Sequence, residues 1–257
     1  DQRRGEPALH RRLEKALGVS ARGGESLAVL AGDIIFGYAV ECFTHADLQA
    51  EPAQEALRTF TQITQDCGLG ESLELVNAER SLTEVSEAEI RQTYHLKTTR
   101  YTIEGPLVIG ATLAGADAET RSALADIARP LGLAFQIEND LHEVGLIEAQ
   151  ASHLAYDLRT GVKTLFIKHF HDALGENDQA ALDDCLRMGD CPESISILVR
   201  LLTGNRLVER MRELMEEQFA EAEAALEAGP FEPAQRAGLT ALVDAVKRNC
   251  RHSEAPG

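Results

Sequence analysis

An excess of positive charge, paired cysteines, alternating strands and tandem repeats are all missing from this 257-residue sequence. Its 25 basic residues stand against 42 acidic ones, a formal charge of −17 that repels a bare phosphate backbone and argues against nucleic acid as a partner. An anionic partner would need a local cation cluster or a metal. Five cysteines, Cys42, Cys67, Cys185, Cys191 and Cys250, are scattered with no CxxC pair. That fits reduced core thiols in a cytoplasmic protein better than a disulfide framework or a zinc site. No apolar run approaches the roughly 20 residues that span a bilayer, so no integral membrane segment is expected. No signal peptide opens the sequence, which begins at Asp1 rather than at methionine.

What is present is helix. From Gly23 to about His45, Leu27, Leu30, Ile34, Ile35, Tyr38 and Cys42 recur at three- and four-residue steps. The same period runs over 52–78, 87–113, 120–146, 161–174, 192–202, 205–228 and 233–250. Ser86 with Glu89 reads as a capping box, and Gly115 and Gly175 stand where helices stop. The stretch 146–158 reads as a loop or short helix. The Ala/Glu-rich helix 206–227 is expected on the outside of the bundle. The prediction is an all-α bundle forming a single domain over 1–257.

Several segments carry chemistry. Near the start, Arg3-Arg4-Gly5-Glu6-Pro7-Ala8-Leu9-His10 is a basic loop offering forked donors, although Arg-Arg-Gly alone is an ordinary surface loop. Lys97 and Thr98 sit mid-helix among apolar neighbours, with Gly105-Pro106 soon after. There an ammonium needs an anionic partner, or must reach out to solvent along its stem. Phe135-Gln136-Ile137-Glu138-Asn139-Asp140-Leu141-His142-Glu143 places Gln136, Asn139, Asp140 and Glu143 at offsets of three, four and seven, one helix face. Hard oxygen donors so grouped suit Mg²⁺.

In this order the segments resemble the trans-isoprenyl diphosphate synthase (polyprenyl synthetase) family over essentially the whole chain. The matched pieces are Arg-Arg-Gly-x-Pro-x-x-His (Arg3 to His10), Leu-x-Gly-Asp (Leu30 to Asp33), Lys-Thr (Lys97, Thr98), Phe-Gln-x-x-Asp-Asp-x-x-Asp (Phe135 to Glu143) and Asp-Leu-x-x-Gly-Lys-x-Thr-Leu (Asp157 to Leu165). The resemblance implies an isoprenoid-synthase bundle around a central cavity, usually a homodimer. It also implies Mg²⁺-dependent condensation of an allylic prenyl diphosphate with isopentenyl diphosphate. Lys97 and Arg3 would contact the allylic diphosphate and Arg4 the isopentenyl diphosphate, with His10 and Lys163 completing the substrate set. Gln136 and the kinked backbone at Lys97 and Thr98 would aim oxygen dipoles at the carbocation. Asn139, Asp140 and Glu143 would hold metal. The basic stretch Lys247 to Arg251 resembles the tail that helps close the isopentenyl site, and is equally a helix-end cation cluster.

The sequence departs from the family pattern at defined positions. The DDxxD motif expected just before Asp1, with its preceding helices, is not in this chain. Asn139 replaces an aspartate, His153 a lysine, and Val162 the lysine of Gly-Lys-x-Thr-Leu, with Lys163 one residue later. That one-residue step turns a side chain by about 100° on a helix. Glu6 replaces a position that is often basic. Three readings stand: an elongating prenyltransferase, a catalytically silent partner or regulatory subunit, and a terpene-cyclase-like enzyme.

Overall fold

The computed structural model describes residues 2–3, 6–45, 49–148, 161–188 and 206–252. The chain divides into two compact units, Asp1–Leu57 and Arg58–Gly257.

The first unit opens on a two-stranded antiparallel hairpin, β1 (Gln2–Arg3) and β2 (Glu6–Pro7), pairing Arg3 with Glu6. Helix α1 (Leu9–Leu17) follows, ends at Gly18 in the left-handed region (φ 64°), and packs on α2 (Ala21–His45). The hairpin and α1 stand where the sequence suggests a loop. Two residues per strand are too few to show alternation, and α1, rich in Arg and Lys, buries no residue fully. Helix α2 bears on the expectation that no membrane segment is present. By length and composition its span Ala21–Thr44 is apolar enough to cross a membrane. Uninterrupted apolar runs miss it because Gly32, Asp33 and Gly37 break the run without supplying enough charge to lower the average. Within its unit this helix exposes Val29, Leu30, Ile34, Ile35, Phe36 and Tyr38.

In the second unit the central element is α6 (Ala118–Glu148), a 31-residue helix with Pro130 inside it. Ile127, Leu131, Ala134 and Ile137, at three- and four-residue steps, are wholly buried along it. Around α6 pack α4 (Glu87–Tyr94), a π-helical segment His95–Glu104, α5 (Gly105–Leu113), α7 (Leu165–Ala173), α9 (Leu207–Ala228) and α10 (Pro233–His252). Helix α3 (Ala50–Ala78) precedes them, and α8 (Glu176–Met188) packs on α7. Helix α9 is no outer helix. Its stripe Met211, Leu214, Met215, Phe219 and Ala222 is buried, and α6 is its most extensive neighbour. Its glutamates mark the solvent side, whereas alanines stand on both.

Ser86 caps α4 as expected: its hydroxyl accepts from Glu89 N–H at 3.2 Å and the Glu89 carboxylate accepts from Ser86 N–H at 2.8 Å. The single helix expected over 87–113 is instead three joined segments. Helix α7 begins at Leu165 rather than 161, because Gly161 is in the left-handed region (φ 69°) and Thr164 provides the cap. Helix α8 was not anticipated; its short polar-rich stretch shows little period. Of the stretch 146–158 expected as a loop or short helix, 146–148 belong to α6; the rest, like the expected helix over 192–202, lies outside the described residues. Cys185 and Cys250 are core thiols, whereas Cys67 is half-buried and Cys42 exposed; Cys191 lies outside the described residues.

Candidate active site

The site is built where the π-helical segment faces α3 on one side and α6 on the other. A π turn bonds each N–H five residues back and bulges the backbone, so such turns recur at functional sites. Here it continues to Gly105, whose N–H reaches Arg100 O, and the next residue, Pro106, has no amide to restore α-helical bonding. Two glycines let neighbouring helices approach it. A Cβ on Gly70 of α3 would fall 2.5 Å from the Lys97 amide nitrogen, and a Cβ on Gly132 of α6 would overlap the Thr99 side chain.

Lys97 meets its anionic partner from α3. Its Nζ lies 2.7 and 2.6 Å from the two Glu74 carboxylate oxygens and 3.8 Å from Glu71, and the side chain keeps 20% of its exposure. One carbonyl of the bulge, Lys97 O, accepts a long S–H bond of 3.8 Å from Cys67, whose thiol burial pushes up. On the α6 side Thr98 Oγ1 donates to Gln136 Oε1 at 3.1 Å, and Gln136 Nε2 donates to Asp140 Oδ1 at 3.4 Å. Tyr94 OH donates to Asp140 Oδ2 at 2.6 Å and accepts from Leu165 N–H at 2.8 Å. Thr98, Gln136 and Asp140, three residues chosen from sequence, are thus joined in one hydrogen-bonded chain. Sequence reasoning missed two partners at this site, Glu74 on Lys97 and Tyr94 on Asp140. Glu74 lies 23 residues before Lys97 and carries no motif signal of its own; Tyr94 reads as a core aromatic at helical spacing.

The expected single face of α6 is divided. Asn139 is exposed, whereas Asp140 retains only 1% exposure and has donors on both carboxylate oxygens. Consecutive residues differ by about 100° around a helix, so the bundle interior captures one and leaves the other outside. Glu143 lies on the next turn of α6, and its side chain is outside what the structure describes. Among the described residues no group of three or more His, Cys, Asp or Glu side chains is placed to hold a metal ion. The donors present are nonetheless the right kind. Mg²⁺ is held by hard oxygens and commonly takes only one or two carboxylates, filling its shell with waters and phosphate oxygens.

Lys163 is placed otherwise than expected. It is 7% exposed, and its Nζ donates to Gly161 O at 2.9 Å and Ala78 O at 3.2 Å, tying the turn before α7 to the end of α3. Burial pushes this ammonium down from its ordinary range, against the opposing pull of Asp183. Two of its three donors go to backbone carbonyls, and Val162 is buried where the family motif has lysine.

In the first unit, Arg3 is in β1 and His10 is half-buried in α1. Arg4, His153 and Asp157 lie outside the described residues. At the C-terminal end Lys247 bonds Glu223 at 2.5 Å and lies 5.5 Å from the Phe219 ring centre, so this cation packs on α9.

An all-helical unit centred on one long helix thus carries a lysine-bearing π bulge that faces a Gln-x-x-x-Asp register. The polyprenyl synthetase family model matches residues 1–202, and the chain belongs to that family. It is 31% identical over 202 residues to the short chain isoprenyl diphosphate synthase of Methanothermobacter thermautotrophicus, covering 77% of this chain and 58% of that one. Its fold matches the Corynebacterium glutamicum geranylgeranyl pyrophosphate synthase solved with isoprenyl diphosphate and magnesium (TM-score 0.77, 22% identity, 95% of this chain and 71% of that chain). It also matches a Streptomyces coelicolor polyprenyl synthetase (TM-score 0.71, 26% identity, 87% and 67%). The chain spans about half the length of the curated relatives it matches.

Proposed function

We propose that this protein is a Mg²⁺-dependent prenyltransferase that condenses an allylic prenyl diphosphate with isopentenyl diphosphate. The observation that carries this reading is the hydrogen-bonded chain Thr98, Gln136 and Asp140 across the π bulge and α6, with Lys97, next to Thr98 on the bulge, held by the carboxylates of α3. The carbon–oxygen bond to the allylic diphosphate breaks, the carbocation is attacked by the isopentenyl double bond to form a carbon–carbon bond, and a proton leaves.

Each residue answers one demand of those steps. Lys97 exchanges its Glu74 partner for a diphosphate oxygen and neutralises leaving-group charge as it develops. Gln136 Oε1 and the Thr98 hydroxyl, already paired, present fixed dipoles to the cation in a dry interior. Glu71 and Glu74 leave the surroundings of Lys97 net negative, so a bare diphosphate is repelled. A divalent cation supplies the missing positive charge and Lewis acidity. Asn139, Asp140 and Glu143 are the residues proposed to hold it, and Arg3, Arg4 and His10 complete the substrate set. Lys163 serves as a backbone tie. Residues 1–257 belong to one synthase domain of a cytoplasmic homodimer, with the exposed apolar face of α2 as the candidate interface.

The complete protein, incubated with Mg²⁺, labelled isopentenyl diphosphate and dimethylallyl, geranyl or farnesyl diphosphate, yields a longer prenyl diphosphate. No labelled product from any of the three acceptors overturns the reading. The neutral Asn139 and the redirected Lys163 favour a second reading, a silent partner subunit. Absence of product combined with a changed product length when an active synthase is added would establish that one.

A further inference from the structure

Asp140 is 1% exposed, and both its carboxylate oxygens accept from protein donors. What that arrangement settles is the direction of a neighbouring amide. The Gln136 side chain has an oxygen that accepts and a nitrogen that donates, and a half-turn exchanges the two ends. The Thr98 hydroxyl, 3.1 Å away on one side, can donate or accept and so tolerates either end. A carboxylate only accepts. Asp140 Oδ1, at 3.4 Å, therefore takes the Nε2 end and leaves Oε1 on the Thr98 side. Asp140 is held in turn by Tyr94, the last residue of α4 and 2% exposed, whose hydroxyl donates to Oδ2 at 2.6 Å. A phenol can also donate or accept, but the Leu165 amide, 2.8 Å away, only donates, so the phenol proton goes to Asp140. Leu165 opens α7, where backbone amides have no intrahelical acceptor, so its N–H is available for this bond. From the start of α7 to the π-helical segment, each donor and acceptor is thereby fixed.

We infer that Tyr94 is a positioning residue for Gln136: through Asp140 it keeps the Gln136 carbonyl, and not its NH₂ group, turned toward the carbocation. The inference rests on the synthase reading above for the carbocation, and it involves no metal. The chemistry is a matter of sign. Oε1 carries partial negative charge and stabilises a cation as it develops, whereas a reversed amide would present partly positive hydrogens to it. Phenylalanine would fill the space of Tyr94 but leave the Leu165 amide and Asp140 Oδ2 each short of that bond. The carboxylate that selects the amide end would then lose its anchor on α4.

The test is a double-mutant cycle on the complete protein, Tyr94→Phe, Gln136→Leu and the two together, read by steady-state condensation at saturating Mg²⁺. Tyr94→Phe should lower kcat by roughly tenfold to a hundredfold, with KM for both diphosphates within about threefold. In the Gln136→Leu background no amide remains to be turned, and the same change should cost less than about twofold. A purely structural tyrosine would cost the same in both backgrounds, as Leu182→Ala, a core truncation in α8, should do. Side-chain amide NMR gives a second readout. The Gln136 NH₂ resonances, identified by their absence in Gln136→Leu, should shift in Tyr94→Phe and stay in place in Leu182→Ala. Unchanged kcat in Tyr94→Phe, unmoved Gln136 NH₂ resonances, or equal losses in both backgrounds overturns the inference. Should Tyr94→Phe not fold, Asp140→Asn takes its place in the cycle, and equal losses in both backgrounds again overturn it. If the wild type condenses nothing, the cycle is read on calorimetric affinity for an ammonium analogue of the allylic chain with inorganic pyrophosphate, the ammonium standing for the carbocation. Binding of that pair without condensation would overturn prenyl transfer and leave the role of Tyr94 to the cycle. Wild-type protein that does neither would overturn both.

Discussion

Lys97 and Lys163 are two partly or largely buried ammonium groups in one compact unit, and their partners differ in kind. Lys97 is held by the carboxylate of Glu74, a partner that another anion can replace without disturbing a helix. Lys163 is held by two backbone carbonyls, and withdrawing it would release the end of α3 and the turn at Gly161. The first is a cation in reserve and the second a structural pin. Residue type alone does not separate them; what separates them is register, one residue along the chain in the case of Lys163.

The largest expected effect falls on the reserve cation. Lys97→Met should lower kcat/KM for condensation by roughly 10²–10³-fold, the range for removing one group aimed at developing charge. Steady-state kinetics at saturating Mg²⁺ check it. Next comes the apposition that frames the π bulge. Gly132→Ala forces a methyl group into Thr99 and should cost about 1–3 kcal/mol of stability, seen as a lower denaturation midpoint. Lys163→Met replaces a buried cation by an apolar chain of similar length. It should leave KM for both diphosphates within about threefold while costing about 1–3 kcal/mol of stability, because two backbone carbonyls lose their donor.

How far the sequence announces this depends on the element. Helices α2, α3, α6, α9 and α10 follow from apolar spacing because each buries a continuous stripe or runs long enough for the period to show. Helix α1 and the β1–β2 hairpin are too short and too polar for that signal. The π bulge is hidden because its sequence, His95 to Glu104, keeps a helical period; the unusual bonding follows from close packing against Gly70 and Gly132 and from Pro106. In the site, Lys97, Thr98, Gln136 and Asp140 are legible through motif order. Glu74 and Tyr94 are not, since they join the site only through contacts 23 and 46 residues distant in the chain. The division between exposed Asn139 and buried Asp140 is a property of how α6 is seated, which spacing alone cannot supply.

The smallest expected effect concerns His95, beside the Lys97 bulge. Burial lowers its pKa from 6.5; Glu104, 4.0 Å away, and Asp66 oppose the shift, while Arg100 and Arg129 reinforce it. With the folded pKa below the unfolded one, the unfolded chain binds more protons in between. The contribution is therefore whole above pH 6.5 and is lost as pH falls through the folded value. Melting curves between about pH 8 and 5 should show this loss in the wild type and less of it in His95→Gln, a difference of about 2–4 °C or less.

The division of labour between the two lysines is tested most directly by calorimetric titration of inorganic pyrophosphate, with Mg²⁺ present, into wild type, Lys97→Met and Lys163→Met. The account predicts that Lys97→Met binds at least tenfold more weakly while Lys163→Met stays within about threefold of wild type. Loss of binding in Lys163→Met with binding retained in Lys97→Met would contradict it.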